Sequence, residues 1–262
     1  MSFDYQKEVK ILTPNFIDSS ATIVSTHGGT TANLNDRDLD TVFTLTGIGG
    51  NRDTIEASLT ITFNLAGVET LFSMNSFMLF RTNIRDMIID YYNGSSWVNA
   101  FITVSGNVDD YIIRYFGAVS ASKIRFRMKK TVLPNRWKEI AELIVARHRF
   151  NFLSYSKLSE KNEETAITLK LGNGSEHRAV TRFTENRTSR YGAMVVFNYL
   201  TRQQYENLRA LKNENSPFLI MPESSHIPEE IYQVNWVNSF TANYWKQYKG
   251  NGYTVQMEVK EI

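Results

Sequence analysis

The chain has 262 residues, 42% hydrophobic and 13% aromatic, enough for one large core or two modest ones. Its formal net charge is +2, with 16 basic and 15 acidic residues in 1–150 and 13 and 12 in 151–262. That balance excludes ordinary electrostatic nucleic-acid binding. The absence of cysteine excludes disulfides, thiolate metal sites and cysteine nucleophiles.

The N-terminal stretch MSFDYQKEVK carries acids and no apolar run, so it does not read as a secretory signal. No segment approaches the roughly 20 apolar residues of a membrane span. The expectation is a soluble protein made in a cytoplasm. At 33–43 the chain reads NLNDRDLDTVF, with Asp36, Asp38 and Asp40 on alternate positions. An EF-hand is excluded, because Thr41 stands where its glycine belongs and Gly47 where its last glutamate belongs. Turn-forming aspartates facing water and a cation loop both fit the spacing.

Period-2 alternation then dominates. Leu59, Ile61 and Phe63 alternate with Thr60 and Thr62, and Ile124, Phe126 and Met128 alternate with Lys123, Arg125, Arg127 and Lys129. Each pattern predicts a strand with one buried face, as does Tyr253–Val255–Met257–Val259 near the end. Core strands are expected at 58–65, 87–92 and 123–129. The basic face of 123–129 reads as a solvated outer sheet surface, with an acidic partner as the functional alternative. Turn signals stand at Asn93-Gly94, Gly106-Asn107, Gly172-Asn173-Gly174 and Gly250-Asn251-Gly252. The segment 138–148 is read mostly as strand, because Ile140, Ile144 and Val145 are β-branched.

A boundary is expected within 147–164, dividing the chain into domains 1–150 and 151–262. One helix is predicted. Thr201 and Gln204 form a capping box, Leu200 and Tyr205 a hydrophobic staple, and Ser216-Pro217 ends the helix.

Sites of chemistry are sparse. His27, His148, His177 and His226 lack metal spacing, and GIGGN at 47–51 lacks the Gly-Lys-Ser/Thr of a phosphate loop. There is no G-x-S-x-G elbow. Glu163-Glu164 and Glu229-Glu230 read as solvated loops, and no catalytic residue is nominated. Trp236, Tyr244, Trp245 and Tyr248 form an aromatic set suited either to a core or to a subunit interface.

Taken in order, NLNDRDLDTVF at 33–43, SLTITFNL at 58–65, FMLFRTNIRDMIIDYYNGSSW at 77–97 and SKIRFRMKKTVLPNRWKEIAELIV at 122–145 resemble discoidin-like domains. The resemblance implies a galactose-binding-like jelly roll of two antiparallel sheets. In many relatives the aspartate loop and an acid of the last strand hold calcium. Carried over, Asp36, Asp38, Thr41 and Glu142 would be ligands of a structural calcium. Arg37 departs from the family's usual glycine. Trp97, Arg81 and Asn83 are the residues nominated to meet a glycan.

The second half, through RTSRYGAMVVFNYLTRQQYENLRALKNENSPFLIMPE at 187–223, IYQVNWVNSF at 231–240 and GYTVQMEVKE at 252–261, resembles β-sandwich domains of bacteriophage tail-tip and baseplate proteins. The expectation is therefore a mainly β chain, a jelly roll followed by a β-sandwich with one short helix. It would be a non-enzymatic component of a virion tail that forms a homo-oligomer or ring with other tail proteins. The first domain would face outward toward protein or host-surface glycan. The alternative is a carbohydrate-binding adhesin module with no virion role.

Overall fold

The computed structural model describes residues 7–18, 20–36, 38–47, 52–154, 159–160, 166–170, 176–180, 192–222, 224, 230–247 and 250–262. The chain is mainly β, with one α-helix among the described residues, and divides into two compact units, Thr13–His148 and a second made of Met1–Leu12 with Arg149–Ile262. The N-terminal end of the expected 1–150 domain is thus corrected. Lys7–Leu12 is a strand whose Lys10, Ile11 and Leu12 pair antiparallel with Met221, Ile220 and Leu219. Nothing in the local pattern of a first strand names its partner two hundred residues away.

Residues 13–148 form a jelly-roll sandwich. A five-stranded antiparallel sheet runs in the order Thr22–Ser25, Ala57–Thr62, Lys123–Thr131, Ile84–Tyr92, Trp97–Val104. A three-stranded sheet orders Tyr111–Ala121, Phe72–Phe80 and Glu142–Ala146, and Phe43–Leu45 pairs with Lys138–Ile140. The alternation at 123–131 explains why that strand is central. Ile124 stands opposite Ile61, Phe126 between Leu59 and Ile89, and Met128 between Ala57 and Met87. All these residues are buried in one cluster. Phe126 meets Phe77 of the other sheet edge-to-face, with centroids 5.6 Å apart, so the two sheets are joined through their largest side chains. Phe63, just past its strand, is buried among Phe16 and Phe72.

The second unit is built on an eight-stranded sheet. Its main path runs His148–Ser154, Lys7–Leu12, Phe218–Met221, Tyr232–Trp236, Gly250–Glu261, Gly192–Leu200, Ser159–Glu160. Thr241–Gln247 also pairs with 250–261, and Ala166–Lys170 pairs with Glu176–Val180 as a separate hairpin. Where the partner of 250–261 changes from 232–236 to 241–247, Asn238 fills the gap in the ladder. Its Oδ1 accepts from Glu258 N at 2.8 Å and its Nδ2 donates to Gln256 O at 3.2 Å.

The helix, Arg202–Glu214, starts as its sequence dictates. Thr201 Oγ1 accepts from Gln204 N, and Gln204 Oε1 accepts from Thr201 N. Leu200, Tyr205, Leu208 and Leu211 join the unit's core, and Asn215 closes the helix in the left-handed conformation at φ 48°.

Candidate functional site

Three loops of the jelly roll meet at one end, and the short turn 81–83 gathers them. Thr82 N donates to Asp110 O at 2.7 Å, and Thr82 Oγ1 donates to Glu139 O at 2.8 Å. Asn83 Nδ2 donates to Trp137 O, while its Oδ1 accepts from Glu139 N at 3.0 Å. Val132 N in turn donates to Asn83 O. Asn107 Nδ2 fixes the second loop through Ile84 O and Asp109 O. A three-residue polar turn between two largely buried strands therefore organises both neighbouring loops.

These loops enclose a cleft of about 450 Å³. Trp137 and Glu139 form part of its wall, exposed Asp109, Asp110 and Arg136 stand around it, and Val108 and Leu133 line it as exposed apolar side chains. Among the described residues, the carboxylates of Asp109, Asp110 and Glu139 and the guanidinium of Arg136 make no hydrogen bond or ion pair, whereas Thr82 and Asn83 are occupied by the backbone. The cleft thus offers an indole together with polar groups that have kept their bonding capacity, three of them acceptors.

Behind Trp137 lies a second layer. Arg52 places its guanidinium 3.7 Å from the indole centroid, donates from Nη1 to Asn135 O at 3.1 Å, and from its backbone N to Asn135 Oδ1 at 2.8 Å. Asp53 accepts from Asn135 N at 2.8 Å and from Thr131 N and Oγ1 at 3.2 Å. Burial alone would raise the Asp53 carboxyl, but these bonds and the nearby Lys138 charge hold it below its ordinary value. Lys138 is wholly buried and donates to Arg52 O and to Ile55 O. Burial lowers its ammonium, and Asp53 offsets part of that shift.

The residues nominated from sequence do not assemble into one site. Asn83 borders the cleft, but its amide is committed to Trp137 and Glu139. Arg81 donates to Leu39 O and to Asp40 Oδ1 and does not line the cleft. Trp97 pairs with Tyr92, at the far end of the 84–92 strand from Asn83. At about 3.3 Å per residue, that strand separates them by roughly 25 Å. Trp97 packs instead against Tyr92 and under Arg125, whose guanidinium is 4.4 Å from its ring.

The aspartate loop is a chain of turns. Asp36 Oδ1 accepts from Asp38 N and Asp38 Oδ1 from Asp40 N, both at 2.9 Å, and Thr41 Oγ1 donates to Asp36 Oδ2 and Asp38 O. Glu142 is buried in the 142–146 strand. Among the described residues, no group of three or more His, Asp or Glu stands close enough together to hold a metal ion. Arg37, Glu163, Glu164, His226, Glu229, Tyr248, the turn 172–174 and residues 48–51 lie outside the described residues, as do the side chains of His177 and Trp245.

The basic strand is not a free positive surface. Arg125 and Arg127 both donate to Asp90, Lys123 pairs with Glu69 at 3.0 Å, and Arg127 pairs with Glu56 at 3.4 Å. Of the aromatic set in the second unit, Trp236 belongs to its core while Tyr244 is 56% exposed.

No protein-family model matches the chain, and no curated protein matches it. Several solved structures are similar to about half of it. The family 32 carbohydrate-binding module of Clostridium perfringens NanJ, in complex with galactose, is 17% identical over 53% of this chain and 99% of that one, with a TM-score of 0.42. A chitosan-binding module from a Paenibacillus chitosanase/glucanase is 13% identical over 50% and 97%, with a TM-score of 0.41. A module from a family 31 glycoside hydrolase of Clostridium perfringens is 16% identical over 49% and 92%, also with a TM-score of 0.41. At such values, what each of those modules binds stays with that module.

Proposed function

We propose that the chain is a non-enzymatic carbohydrate-binding protein whose ligand enters the cleft between 108–110 and 132–139. The supporting observation is the pairing of an indole with three unengaged carboxylates and one guanidinium in a concave, open site. A pyranose has apolar C–H faces that stack on indole and a ring of hydroxyl donors that suit carboxylate acceptors. A site rich in acceptors favours a ligand rich in donors. The cleft does bring acids together, which the sequence reading did not foresee. However, Asp109 and Asp110 are exposed, unlike the shielded acid a glycosidase requires.

The finer reading, a component of a virion tail tip or baseplate, is a second proposal and concerns the other unit. It is favoured by the order strand, capped helix, strand at 192–221, which is the order that resemblance relied on. Purified tail particles, searched for this chain by mass spectrometry and reconstruction, decide it. Absence from every particle sinks the virion role and leaves the glycan reading standing.

The glycan reading is tested on an array of neutral, acidic and amino polysaccharides with the full chain, followed by titration of any hit. Binding that disappears in Trp137→Ala supports it. No hit on the array, or a hit indifferent to Trp137, overturns it. Release of shortened sugars during incubation would overturn the non-enzymatic part alone.

A further inference from the structure

Arg52 is not among the residues lining the cleft, yet its guanidinium lies 3.7 Å from the centroid of the Trp137 ring. It therefore backs the indole from outside the cleft. Its Nε is buried without a hydrogen-bond partner among the described residues, a polar cost that the close approach to the indole and the two bonds to Asn135 must offset. Asn135 itself sits at φ 59°, in the left-handed region, held there by Arg52 on one side and Asp53 on the other. Lys138 then anchors the carbonyls of Arg52 and Ile55. The segment 52–55 grips the loop 131–138 at four of its residues and is clamped to it from both directions.

We propose that Arg52 is a positioning residue, which fixes the aromatic wall of the cleft by holding the Trp137 indole from behind. This rests on the carbohydrate-binding reading for its functional meaning, although the positioning itself does not. The chemistry requires arginine and not merely a positive charge. A planar guanidinium can lie flat on an indole while reaching a carbonyl in its own plane, whereas a lysine ammonium is a point charge on a flexible stem. Asp53 and Lys138 act one step further back. They hold the backbone of 52–55, and through it Arg52.

Two measurements on the full chain separate positioning from general stability and from the ligand question. The first is the heteronuclear NOE of the Trp137 indole N–H in 15N-labelled protein, with the signal assigned by its loss in Trp137→Phe. It should fall toward that of a mobile side chain in both Arg52→Lys and Arg52→Ala, while the other three indole signals keep their wild-type values. An unchanged value in either variant overturns the proposal. So does a loss of order at all four indoles in Arg52→Lys, which would make Arg52 a general stability residue. The second is affinity for a glycan identified on the array. Arg52→Lys and Arg52→Ala should each weaken binding about tenfold. Wild-type affinity in Arg52→Lys would show that charge alone suffices and overturn the positioning role. If the wild-type chain binds no glycan, the carbohydrate reading falls, and the indole measurement still decides whether Arg52 positions Trp137.

Discussion

The wholly buried Asp90 carboxylate holds the Arg127 guanidinium at two points, Nε to Oδ2 at 2.8 Å and Nη2 to Oδ1 at 3.2 Å. Arg125 adds two donors to Oδ2, and Ala100 N donates to Oδ1 at 2.7 Å. Ala100 is at φ 52°, where the 97–104 strand slips register against 84–92. One acid thus binds two arginines of the central strand and fastens a bulge on the edge strand.

Replacing Asp90 by alanine should therefore cost about 3–5 kcal/mol, because Arg125 loses its counter-charge, Arg127 keeps only its longer pair with Glu56, and Ala100 N loses its acceptor. Asp90→Asn should lie between alanine and wild type, since the amide oxygen can still accept one bond. Urea denaturation at neutral pH measures both. A cost below 1 kcal/mol for alanine would mean that solvent replaces the acid.

The same pair sets a pH dependence. Burial by itself would raise the Asp90 carboxyl, but the bonds from Arg127, Ala100 and Arg125 outweigh it and hold the group below its ordinary value. A carboxylate depressed in the folded state contributes stability above its unfolded pKa of about 4, lost as pH falls through the lower folded value. Wild type should lose stability below about pH 4 more steeply than Asp90→Asn. Parallel pH profiles for the two proteins would refute this assignment.

The jelly roll was legible because its information is local and periodic. Ile124, Phe126 and Met128 point inward by simple alternation, and Thr201 and Gln204 mark a helix start within four residues. The basic residues of the same strand face outward as read, but their pairing is not local: Arg125 and Arg127 find their acid on a neighbouring strand whose register the sequence does not print. The cleft was hidden for a related reason. Asp109 and Trp137 lie in loops far apart in the chain, and the bonds of Thr82 and Asn83 tie both loops to one turn. The available signal was positional: turn-rich stretches around Asn107 and Pro134-Asn135, each following a strand, carry unpaired charge and a tryptophan.

Phe126→Ala should destabilise the full chain by about 3–5 kcal/mol, since the ring is fully buried and joins the two sheets. Arg81→Ala, which breaks an exposed pair with Asp40, should cost at most about 1 kcal/mol. Chemical denaturation of the two variants side by side checks the contrast. Equal costs would mean that the Phe126 site collapses around the missing ring.

Thr201→Ala removes the acceptor for Gln204 N at the start of the helix Arg202–Glu214. A loss of about 1 kcal/mol is expected, confined to the second unit. Hydrogen exchange reads this locally: faster exchange should appear in the first turn of 202–214 and be absent from 84–92. Uniform acceleration across both units would contradict their separate cores.

The two tryptophans of the jelly roll give the sharpest comparison of stability with function. Trp97 lies at the 92–97 hairpin, packed at a tilt against Tyr92 and covered by Arg125, so its truncation removes packing from the sheet. Trp137 lines the cleft and also packs against the unit's core, so its truncation removes the aromatic wall and some packing while the backbone bonds to Asn83 remain possible. Trp97→Ala should lower the melting temperature and leave glycan affinity unchanged. Trp137→Ala should abolish measurable affinity, because stacking against an aromatic ring is the main apolar contact a sugar can make there. Melting curves and titrations on both variants form a two-by-two test. If Trp97→Ala loses binding and Trp137→Ala keeps it, the ligand site lies at the hairpin end and the assignment of the cleft is wrong.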